Sequence, residues 1–160
     1  MMFDRKIVFL WIITFFIIFI SFFTNNQKIH KKNIDYPPMF ILPYEGNLWI
    51  VSENGKIIDV VDDYNVIVTL PVFVIPEDYV DFFSGTINEK FLKKIPIKVP
   101  NFIFEINFVE NYMVLNNNSK VFFNEYFDFQ MYFEKLKIVY KYIEPNKIYF
   151  FSNDKLVKVR

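Results

Sequence analysis

The chain has 160 residues, with 18 Lys and Arg balancing 18 Asp and Glu, a single histidine and no cysteine. The balanced charge offers no strong field to hold nucleic acid or anionic lipid. Absence of cysteine removes disulfides, thiol nucleophiles, cysteine-rich zinc sites and the lipidated cysteine of a lipoprotein.

Residues 1–6 are too few to fold, and Ile7 to Phe23 is one uncharged apolar run whose only hydroxyls are Thr14 and Ser21. Either hydroxyl can bond a carbonyl one turn back inside a helix. Seventeen residues give a helix of roughly 26 Å, slightly under the ~30 Å hydrocarbon core, so a single transmembrane helix is predicted over residues 7–24. Ile7, Leu10, Trp11, Phe15, Ile18 and Phe22 are its anchor residues. Signal cleavage wants small residues near the end of the run, and Ser21-Phe22-Phe23-Thr24 offers bulky rings instead. Arg5 and Lys6 on one side and Lys28, Lys31 and Lys32 on the other leave orientation undecided by charge.

Residues 25–46 read as an extended tether, polar and basic at first and then held out of helix by Pro37, Pro38 and Pro43. The sequence LWIVSENGKII (48–58) predicts a β-hairpin, with Asn54-Gly55 as a type I′ turn. Val66 to Leu70 is a further β-branched run, halted by Pro71. Residues 76–95 read as two short helical pieces, the first opened by Pro76 and stopped at Gly85, the second opened by the capping-box spacing Thr86-Ile87-Asn88-Glu89 and ended before Pro96. Alternation over 101–108 puts Phe102, Phe104, Ile106 and Phe108 on one face, Ile103 being the exception. Turns at Glu110-Asn111 and Asn116–Ser119 complete a three-stranded meander with Tyr112–Leu115 and Lys120–Phe123. A helix over Phe127–Ile143 gathers Phe129, Tyr132, Phe133, Leu136, Val139, Tyr140 and Ile143 within roughly a 120° arc. Beside that arc run Met131, Ile138 and Tyr142, either wedged against neighbouring loops or facing a partner. Lys147–Phe151 and Lys155–Val159 form a closing hairpin. The predicted fold class is α+β: an N-terminal transmembrane helix, then a small mixed domain over 47–160, largely antiparallel sheet with a C-terminal helix and a closing β-hairpin.

No catalytic constellation is visible. His30 sits alone in the basic tether, which denies a triad or a histidine metal site. Asp62-Asp63 and Glu77-Asp78 occupy turn and helix-start positions where carboxylates are favoured for local reasons. Gly46, Gly55 and Gly85 are too dispersed for a phosphate loop. Lys93, Lys94 and Lys98 read as a solvated edge. A non-enzyme is predicted, with no cofactor, metal, small-molecule substrate or nucleic acid.

The order of elements resembles the β domain of the FtsQ/DivIB family of bacterial cell-division proteins. Four features carry it: the hairpin LWIVSENGKII, the step Leu70-Pro71, the meander FIFEINFVENYMVLNNNSKVFFN leading into EKLKIVYKYI, and the closing strands KIYFFSNDKLVKVR. Asn118-Ser119 and Asn124 stand where the family has glycines, and asparagine tolerates the left-handed conformation best after glycine. The family's POTRA domain, between anchor and β domain, is missing here, since Thr24 to Gly46 is too short to hold one. The resemblance implies a membrane-anchored division scaffold at the septum, with its N-terminus cytoplasmic and its β domain extracytoplasmic. It also implies FtsL-like and FtsB/DivIC-like bitopic coiled-coil partners. A terminal strand left at a sheet edge could take an added strand from such a partner. The expected contact is Tyr149, Phe151, Leu156, Val157 and Val159, flanked by Ile138 and Tyr142; inward packing is the alternative for half of these. The rival readings are an accessory subunit of a pilus or secretion complex and a secreted domain freed by cleavage.

Overall fold

The computed structural model describes residues 36–62, 69–124, 128–152 and 155–159. Of these, 41% are strand and 19% helical, so the α+β expectation is corrected to a mostly β fold built on one nine-stranded sheet. No helix among the described residues is long and apolar enough to cross a membrane. The transmembrane helix expected over residues 7–24, with its anchor residues, lies outside the described residues.

The strands are β1 (Pro38–Tyr44), β2 (Asn47–Ser52), β3 (Ile57–Val60), β4 (Val72–Val74), β5 (Val80–Asp81), β6 (Thr86–Ile87), β7 (Ile103–Asn107), β8 (Tyr112–Leu115), β9 (Lys120–Phe122), β10 (Ile148–Ser152) and β11 (Lys155–Lys158). Among the described residues two α-helices join them, α1 (Glu89–Leu92) and α2 (Phe129–Val139), with 3₁₀ turns at Glu77–Tyr79 and Tyr140–Tyr142. The large sheet runs β11-β10-β9-β8-β7-β4-β1-β2-β3, and β5-β6 is a separate ribbon. The sheet is mixed: β1–β4, β4–β7 and β9–β10 pair in parallel. Parallel neighbours need a crossover, which α2 supplies between β9 and β10.

The proline-bracketed stretch ahead of the first hairpin is extended as read, but it is a central strand of the sheet. Phe40, Ile41 and Leu42 of β1 are fully buried, and Ile41 donates its N–H to the carbonyl of Pro71 at 2.9 Å. The β-branched run before Pro71 falls largely on residues 63–68, outside the described residues; strand β4 begins only after Pro71.

The β2–β3 hairpin forms, but not with a type I′ turn. Gly55 alone takes a positive φ of 80°, and its N–H bonds Ser52 O at 2.8 Å. Ser52 N–H then bonds Lys56 O, which closes a three-residue turn with a glycine bulge, and a separate irregularity shifts the register between Ile50 and Val51. Asn54 contributes its side chain instead, accepting from Ser52 Oγ at 2.6 Å and from Lys56 N–H at 3.3 Å.

The two helical pieces expected over 76–95 become a 3₁₀ turn, the β5–β6 ribbon and the four-residue α1. Thr86 and Ile87 lie in β6, and the N-cap is Asn88, whose side chain accepts from Lys90 N–H. A bulge between Ile103 and Glu105 resets the alternation of β7. Ile103 turns into the core and Phe104 out to solvent, the reverse of the simple period-2 reading. Helix α2 is shorter than expected, capped by Asp128, which accepts from Met131 N–H, and passes into the 3₁₀ turn at Tyr140.

The main core cluster lies on one face of the sheet, where Phe40, Phe73, Ile106, Met113 and Val121 meet Phe91 of α1 and Phe133 and Leu136 of α2; Ile41, Val72 and Tyr112 are buried on the other face. Each fully buried side chain of this kind contributes about 1.5–3 kcal/mol relative to exposure. Aromatic packing links the layers: Phe73 meets Phe108 at 5.5 Å, and Phe108 meets Phe91 at 5.3 Å and Phe129 at 5.7 Å, edge to face.

Candidate partner-binding edge

The crossover that places β10 is tied down by the turn between β8 and β9. Asn118 supplies that turn's left-handed residue at φ 61°. Ser119, fully buried, donates its hydroxyl to Glu144 O at 2.6 Å, and Asn117 Nδ2 donates to Ile143 O at 3.0 Å. Lys120 N–H bonds Lys147 O, and β10 then runs parallel to β9 with Tyr149 beside Val121 and Phe150 beside Phe122. Tyr149 points into the core, and its hydroxyl oxygen accepts from Glu144 N–H at 3.0 Å.

On β10 hangs β11, antiparallel, with Phe150 opposite Val157 and Phe151 opposite Leu156. No other described strand pairs with β11, which therefore ends the sheet. Val159 N–H donates to Ile148 O at 2.8 Å. Bonded pairs recur every second residue in an antiparallel ladder. The N–H groups of Lys155, Val157 and Val159 thus face β10, and those of Leu156 and Lys158 face outward.

The two faces of this edge differ. On the helix face Leu156 packs against the core beside Phe151, whose ring lies 4.5 Å from Tyr132 of α2. Lys158 on the same face holds Glu144 at 2.6 Å. The hydrogen bond and charge of Lys158 hold the Glu144 carboxyl below its ordinary value. The far face carries an in-register row: Val157 beside Phe150, Phe150 beside Phe122, Phe122 beside Tyr112, Tyr112 beside Asn107. Val157, Phe150 and Phe122 are exposed there. Further in, Asn107 Nδ2 donates to Tyr112 Oη at 3.2 Å and Lys120 Nζ stands 4.3 Å over the Tyr112 ring. Burial pushes the neighbouring Glu105 carboxyl up, against the hydrogen bond from Tyr112 and the charge of Lys120.

Of the residues predicted to meet a partner, Tyr149 is 6% exposed and belongs to the core, while Phe151 and Leu156 are half-buried. Val157 (39%) and Val159 (45%) are open on the far face. Ile138 (71%) and Tyr142 (73%) are open too, but in the helix layer on the opposite side of the sheet. They share no face with the valines, and the strand edge lies between the two groups. The sequence reading missed Phe122, Ile148 and Phe150, because runs such as Tyr149-Phe150-Phe151 place rings on both faces and hide the alternation. Among the described residues no group of three or more His, Asp or Glu side chains could hold a metal ion.

No curated protein and no solved structure matches this chain. The profile described as Domain of unknown function (DUF4894) matches residues 41–160, from within β1 through the terminal hairpin, and the chain belongs to that family.

Proposed function

We propose that the protein is a non-catalytic cell-division scaffold at the cell membrane, and that it captures an extended segment of a bitopic partner by strand addition at β11. The edge position of β11, with the N–H and C=O groups of Leu156 and Lys158 directed outward, is the observation that carries the binding mode. An added strand would satisfy those groups and prolong both the core-side surface at Leu156 and the aromatic row on the far face. The division assignment and the FtsL-like and FtsB/DivIC-like partners rest on the resemblance to the FtsQ/DivIB family carried by residues 47–160. The apolar run over 7–23 supports the membrane location.

Two variants at one position test the binding mode. Proline at 158 removes an outward N–H without touching the ladder to β10, whereas glutamine removes only the charge. In full-length protein crosslinked in membranes, K158P is expected to lose the captured partner and K158Q to keep it. Equal capture by both would exclude this edge. A fluorescent fusion of the full chain is expected at midcell; uniform membrane or polar fluorescence would overturn the division assignment. Val157 is the wrong place for proline, because its N–H faces β10 and its loss would open the hairpin itself.

A further inference from the structure

We infer that the β11 edge selects a guest strand carrying an acidic residue two positions after a large apolar one, and rejects a second copy of this chain; the inference rests on the strand-addition reading above. It comes from the geometry of the outward ladder. An antiparallel guest bonded to Leu156 and Lys158 would face Lys155 and Val157 in the non-bonded pairs, where opposed side chains approach closest. Both residues lie on the far face, so that face sets the choice of guest.

The charges on the edge are not equivalent. Lys158 is on the helix face and is already ion-paired with Glu144. Lys155 is exposed, two residues from Val157 on the far face, and has no ion pair among the described residues. The guest residue opposite Val157 gains by being large and apolar, because it extends the row through Phe150 to Phe122, both exposed. The guest residue opposite Lys155, two positions later in an antiparallel strand, gains by being Asp or Glu. Strand β11 itself, Lys-Leu-Val-Lys, contains no acid. Two copies pairing edge to edge would bring four uncompensated or singly compensated lysines together, the device by which sheet edges avoid self-pairing. One lysine therefore does two jobs, blocking the wrong neighbour and marking the right one.

The test uses full-length protein and three labelled synthetic strand peptides, identical except for Glu, Gln or Lys two residues after a central Phe. By fluorescence anisotropy the Glu peptide is expected to bind about three- to tenfold tighter than the Lys peptide, with the gap shrinking at high salt. K155E should invert the order, and K158P should abolish binding of all three. Equal binding of the three peptides, with K158P still inactive, overturns the charge selection while the strand edge stands. Binding that survives K158P, or no binding at all, overturns both. A concentration-dependent dimer of the wild-type chain that K158P dissolves would give the edge to a second copy and equally overturn the inference.

Discussion

The nine-stranded sheet has two ends, and they are finished in opposite ways. At the β3 end the backbone is already occupied: Ile57 N–H donates to Gly85 O at 2.8 Å, Ile87 N–H donates to Gly55 O at 2.8 Å, and Val60 N–H is taken by the Asp59 side chain at 2.9 Å. The β5–β6 ribbon lies along that end through the Lys56–Thr86 bridge. At the β11 end no described element lies alongside, and the strand carries two lysines instead. An edge covered by the chain's own backbone is closed to every partner; an edge guarded only by charge is open to a partner with the opposite charge. Under the strand-addition proposal, this contrast places the guest at β11 and leaves β3 a structural role.

The covered end is held by apolar packing, and removing its keystone is the largest perturbation expected. Phe91 of α1 is buried, stacked on Tyr79 at 4.7 Å and edge-on to Phe108. Phe91→Ala removes both contacts and leaves a cavity behind α1, with an expected loss of about 3–5 kcal/mol in denaturant unfolding. Amide exchange should then quicken at Ile57 and Ile87 while the β10–β11 hairpin keeps its protection below the global transition. Equal quickening at both ends would show that the two edges are not independent.

How much of this was legible in the sequence follows from the range of the forces involved. The β2–β3 hairpin, the meander β7–β8–β9, helix α2 and the terminal hairpin are fixed by local periodicity and by residues such as Asn54-Gly55 and Asn118, and each lies close to its predicted place. Thr86-Ile87-Asn88-Glu89 fits a capping box and predicts helix where the β5–β6 ribbon forms; the ribbon wins through bonds to Gly55 and Lys56, some thirty positions earlier in the chain. No local signal shows β1 as a central strand either. Its prolines suggest a tether, and only pairing with β2 and β4 on either side makes it core. Of the proposed edge, the closing strand is legible in the sequence, yet Tyr149 is told from Val157 only by knowing which face α2 covers.

A smaller effect is expected at the hinge of the covered end. Gly55 sits at φ 80°, and a Cβ there would overlap Leu92 Cδ1 of α1. Gly55→Ala is expected to cost about 1–2 kcal/mol from the left-handed backbone alone, with the leucine turning aside to relieve the overlap. The K158P and K158Q capture phenotypes should be unchanged on this background, since the two ends share no residue. A shift in capture would mean that the β3 end controls the β11 end.

The smallest effect belongs to the open end and is read by pH. Glu144 is held below its ordinary value by Lys158, so the folded chain binds that proton less readily than the unfolded one. The stabilisation from the pair is fully present above about pH 4.5 and is lost as pH falls through the lower folded value. Glu105 runs the other way, because burial raises its carboxyl: the folded state favours its proton, and stability declines as pH rises from the ordinary value through the raised one. Acidification should therefore loosen the β11 hairpin at Glu144 while relieving the far face at Glu105. In wild-type protein, Val157 and Val159 amides, which face β10, should lose protection on going below pH 4.5 after correction for intrinsic exchange, and Glu144→Gln should flatten that dependence without altering the response at Glu105. An unchanged profile in Glu144→Gln would show that the ion pair does not hold the edge strand, leaving its placement to Leu156 and the ladder with β10.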